Sequence, residues 1–99
     1  MRDLVAEIAE LDKDELYEFR IDNVTLQELK AEFLLTIIAS HENLVLSRWR
    51  VSCSQCLNIV IDRCEIPRDF RLKYGTLMIG KSSIKGSHFS AIKLGVLAI

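Results

Sequence analysis

Apolar and polar positions follow two different beats along the chain. Near the start, Leu4, Val5, Ile8 and Leu11 fall on one face at helical spacing, with Glu7 and Glu10 off it. The spacing predicts a helix over residues 3–11, with Asp3 able to cap it. Tyr17, Phe19 and Ile21 then alternate with charged residues, as in a short, half-exposed strand. The next signal is again helical. Thr25 and Glu28 have the spacing of a capping box, and Val24 and Leu29 that of a hydrophobic staple. Leu26, Leu29, Phe33 and Ile37 continue it, and a helix is expected from Leu26 to Ala39.

Beyond Asn43 the beat becomes that of strands. Trp49, Val51 and Cys53 alternate with Arg48, Arg50 and Ser52, with a change of parity near Ser47 that predicts a bulge or corner. Leu57, Ile59 and Ile61 form another alternating run, and Pro67 ends it. Phe70, Leu72 and Tyr74 follow. Thr76–Ile99 reads as short strands separated by Gly/Ser corners. The expected fold class is therefore α+β. One or two N-terminal helices would pack on or cap a C-terminal β region, either a short β-solenoid or an antiparallel sheet.

Composition sets the limits. Ninety-nine residues make a single domain, mainly helical and acidic over 1–43 and β-rich and basic over 44–99. An apolar content of 49% excludes a disordered chain. No apolar run approaches the roughly 18 residues of a membrane span, and the acidic start does not fit a secretion signal. Three cysteines suit a reducing compartment, so a cytoplasmic location is expected. Charge is unevenly spread. Residues 1–32 carry four Lys/Arg against ten Asp/Glu, whereas residues 33–99 carry nine against four. Either the two parts neutralise each other on packing, or a basic face meets a nucleic acid, a lipid headgroup or the acidic end of another copy.

Strand-like centres near Val45, Ile59, Leu77–Ile79 and Ile92–Leu94 recur at roughly 14–19 residues, an interval compatible with coils of a solenoid. Ile79, Ile84, Phe89, Leu94 and Ile99 add a five-residue beat. The latter is similar to that of pentapeptide-repeat solenoids, although the small residue expected two places before each centre stands only at Ser82 and Ser87. The stretch Leu77 to Ala91, with its strand ending in Ile79-Gly80, its small-residue corner and its Ile84-Lys85-Gly86 step, resembles a rung of the bactofilins. That resemblance implies a cytoplasmic, three-sided right-handed β-helix that self-assembles without nucleotide. The 43 residues before the β region and the interruption at Pro67 depart from the family pattern.

Candidate chemistry is sparse. Cys53 and Cys56 form a C-x-x-C, and Cys64 with His88 (or His41) would complete four zinc ligands. The alternative is that the cysteines are small buried hydrophobes. Arg48, Arg50, Arg68 and Arg71 are candidates for a nucleic-acid surface, countered by interleaved acids and by Trp49 falling on the opposite face. No triad, dinucleotide loop or phosphate loop is present. The expected function is that of a non-enzymatic structural or protein–protein interaction module, partnered by another protein or a second copy. Val96, Leu97 and Ile99, uncharged and apolar, are the expected contact residues. A small zinc- or nucleic-acid-binding regulator is the alternative.

Overall fold

In the computed structural model, residues 1–14, 17–62 and 69–95 are described. They form one helix, α1 (Arg2–Asp14), and six strands: β1 (Tyr17–Gln27), β2 (Lys30–Ala39), β3 (Leu44–Val60), β4 (Phe70–Lys73), β5 (Thr76–Ile79) and β6 (Ser82–Lys93). The strands make one sheet in the order β1-β2-β3-β6-β5-β4, and every ladder in it is antiparallel.

Three expectations fall. The fold is mostly β with one N-terminal helix, not an α+β assembly of helices on a β region, and residues 1–43 are not mainly helical. The solenoid is excluded, because the chain reverses direction at each turn instead of coiling onward, and the bactofilin resemblance and the self-assembly it implied go with it. Of the evenly spaced centres, Val45 and Ile59 lie in the one long strand β3, Leu77–Ile79 in β5 and Ile92 at the end of β6, so the interval does not mark successive coils. The helix expected over Leu26–Ala39 is instead the end of β1, a two-residue turn and the whole of β2.

The last error has a clear physical origin. Apolar residues in β2 satisfy both periods, because β2 lies between β1 and β3 with apolar residues on both faces. Ala31, Phe33, Leu35 and Ile37 point into the core, while Thr36 and Ile38 are buried on the other face. With β-branched Thr36, Ile37 and Ile38 together, and a partner strand available on each side, the strand wins. Thr25 and Glu28 do not cap a helix. The Thr25 hydroxyl donates across the hairpin to the Glu32 carbonyl at 3.3 Å, and Glu28 adopts a left-handed conformation at the turn.

The predicted parity change near Ser47 is present. The β2–β3 ladder slips between Ile37↔Ser47 and Ile38↔Val45. This keeps Ser47, Trp49, Val51 and Cys53 on the inner face with Phe33, Leu35 and Ile37. The 17-residue β3 is the spine of the sheet: residues 44–53 pair with β2 and residues 49–60 with β6. The sheet curls around its core, so that Phe19 of edge strand β1 and Phe70 of the opposite edge strand β4 meet with ring centroids 5.9 Å apart. Helix α1 buries Leu4 and Ile8 in that core and leaves Val5 exposed beside Leu72 of β4. Among the described residues no helix is long and apolar enough to cross a membrane.

Candidate interaction surface

One end of the sheet collects two hairpin tips and a bulge. The tip between β1 and β2 is Glu28-Leu29, with φ of 48° and 66°. The tip between β4 and β5 is Tyr74-Gly75, with φ of 53° and 72°. Two positive φ values in a two-residue loop are the signature of the type I′ turn, which matches the right-handed twist of the strands. The bulge lies in β3, where Gln55 takes φ 49° and the β3–β6 register slips between Ser52 and Asn58.

Backbone hydrogen bonds clamp these three features together. The Cys56 amide donates to the Leu29 carbonyl at 2.6 Å, and the Gly86 amide donates to the Gly75 carbonyl at 2.9 Å. Gly86 closes the remaining gap. A Cβ there would overlap Cys53 Sγ and lie 2.9 Å from the Ser54 carbonyl oxygen, so only glycine lets β6 approach the bulge. The Ser87 hydroxyl reaches Gln55 Oε1 at 3.1 Å across the same junction.

Large apolar side chains stand on this clamped end in solvent. Leu26 is 59% exposed, Leu29 63%, Leu57 72% and Tyr74 90%. The Lys73 ammonium lies 5.0 Å from the Tyr74 ring centroid. The sequence pattern hides these residues, because Leu26 and Leu29 fall at the spacing of a buried helix face. The available signal was Tyr74-Gly75 between two alternating runs, which is a hairpin-turn pair.

A second cluster holds α1 to the sheet. Glu7 accepts hydrogen bonds from the Ser47 hydroxyl, from Trp49 Nε1 at 3.1 Å and from Lys93 Nζ at 2.7 Å. Trp49 Nε1 also lies 3.0 Å from Ser47 Oγ. Burial of the Glu7 carboxylate works to raise its pKa. The hydrogen bonds from Lys93, Ser47 and Trp49, with the Lys93 charge, outweigh it and hold the pKa below the ordinary 4.5. Ser47 is fully buried and already bonded, so the group braces the fold and is not set up as a nucleophile.

The predicted site residues are scattered. Cys53 and Cys56 are buried at the bulge, and burial followed by the neighbouring Cys56 pushes the Cys53 thiol above its ordinary value. A raised pKa leaves little free thiolate for nucleophilic chemistry at neutral pH. His88 lies in β6 opposite that region but is exposed. Cys64 lies outside the described residues, and among the described residues no three His, Cys, Asp or Glu side chains gather as a metal-holding group. Arg48 and Arg50 are exposed on the outer face of β3, where Arg50 pairs with Glu32 at 3.6 Å. Trp49 faces the core with its N–H bonded, so it does not share a face with those arginines. Arg71 pairs with Asp69 at 3.4 Å on edge strand β4, away from β3. Arg68, Val96, Leu97 and Ile99 lie outside the described residues. The Glu7–Lys93 and Glu32–Arg50 pairs join the acidic first third of the chain to its basic remainder within one molecule.

Comparison with protein-family models, with curated proteins and with solved structures finds no significant match to this chain. The function is therefore read from the geometry alone.

Proposed function

We propose that this protein is a non-enzymatic protein–protein interaction module that engages its partner through the clamped end of the sheet. The observation that carries the reading is Leu29. It occupies a left-handed turn position where Gly or Asn would fold better, and its side chain gains little burial in return. Tyr74 repeats the choice at the second tip. Bulky side chains held in strained, exposed turn positions serve folding poorly and suit recognition well. The backbone clamps from Cys56 and Gly86 fix both tips in advance, which lowers the ordering cost of association.

A photo-crosslinking amino acid at Leu57 tests this in the native cell, with Glu42, in the loop between β2 and β3, as the control position. A discrete adduct of one mass is expected from position 57, absent from position 42, and lost when Leu29→Asp is added. Equal labelling from both positions, or none from either, would reject the reading.

A further inference from the structure

We infer that the partner presents an acidic segment carrying aliphatic or aromatic anchors, bound across the lysine row between Leu57 and Tyr74. This inference rests on the interaction reading above and adds the chemistry of what is bound. Ladder register places Asn58, Lys85, Thr76 and Lys73 side by side across β3, β6, β5 and β4. Both lysines are exposed, and neither forms an ion pair with any described carboxylate. They stand two strands apart, roughly 10 Å. The row ends at Tyr74, whose ring centroid lies 5.0 Å from the Lys73 ammonium, and on the other side at Asn58, preceded in β3 by the exposed Leu57 of the register slip. Exposed apolar residues thus stand at both ends of a row whose two cations have no ion-pair partner among the described carboxylates, on a backbone already fixed by hydrogen bonds. Apolar anchors supply affinity and the charge pattern selects the partner. An acidic protein segment fits better than an anionic bilayer, because Glu28 sits at the apex of the neighbouring tip and would face the headgroups.

The test uses the whole chain, isotope-labelled, and three probes: a 12-residue peptide alternating leucine and glutamate, its leucine–lysine counterpart, and phosphatidylserine vesicles. The glutamate peptide is expected to shift the amides of Leu29, Leu57, Tyr74 and Lys85. It should bind at least about fivefold more tightly than the lysine peptide, the ratio two partly exposed ion pairs supply. The preference should shrink at 0.5 M salt and reverse in the double variant Lys73→Glu, Lys85→Glu. Leu57→Asp should weaken both peptides; position 57 is exposed, so the fold tolerates the change. Equal binding of the two peptides would overturn the acidic preference while a position-57 adduct still upheld the interaction reading. Binding of vesicles and of neither peptide would overturn the inference in favour of a membrane surface.

Discussion

At the scale of single residues, Glu7 is the side chain on which most depends. It gathers three donors from β3 and β6 and ties α1 to the middle of the sheet. Its lowered pKa fixes the sign of a pH effect. The carboxylate is favoured in the folded state, so its contribution is complete above the unfolded value near 4.5 and is lost as pH falls through the lower folded value. Glu7→Gln should therefore destabilise the protein by about 1–2 kcal/mol at pH 7, the scale of charge-assisted hydrogen bonds at a partly solvated site. The difference from the parent should shrink below pH 4.5. Urea titrations at pH 7 and pH 3.5 measure it, and a constant difference would mean the charge is immaterial. None of this was legible in the sequence. Glu7 was placed off the helix's apolar face, and its partners Ser47 and Lys93 lie 40 and 86 residues away. The alternation around Trp49 and Val51 was legible, because a strand buried on one face writes its period directly.

At the scale of elements, the hairpins carry both the strain and the proposed contact. Leu29→Gly removes the left-handed penalty, while the side chain it deletes is mostly in water. The variant should gain about 1 kcal/mol of stability and lose partner adduct formation at position 57. Loss of stability would show that Leu29 packs more than its exposure implies; retained adduct would show that it takes no part in binding. Elements at the edges of the chain were easier to read than β2. A one-face-buried helix such as α1 and a half-exposed strand such as β1 each have a single period. A central strand with both faces apolar has none that is unique, so a capping-box coincidence at Thr25 and Glu28 decided wrongly.

At the scale of the whole molecule, β3 belongs to two ladders at once. Residues 49–52 pair with β2 on one side and β6 on the other, so neither half of the sheet can leave without opening the other. Unfolding should be a single transition. Fluorescence of Trp49, the one tryptophan, and far-ultraviolet circular dichroism should give coincident urea curves. Separated midpoints would mean that β4, β5 and β6 melt on their own. The curl of the sheet, which brings Phe19 against Phe70, depends on long-range contacts that no local pattern encodes.

The Glu7–Lys93 contact also has a meaning in time. The two residues lie 86 positions apart. At ribosomal rates of about 5–20 residues per second, Lys93 is added roughly 4–17 s after Glu7. Throughout that interval the apolar stripe of α1 has been made but its final brace has not. Until β6 arrives, any docking of α1 rests on the apolar contacts of Leu4 and Ile8 with earlier-made strands, without the charge pair that fixes it in the finished protein.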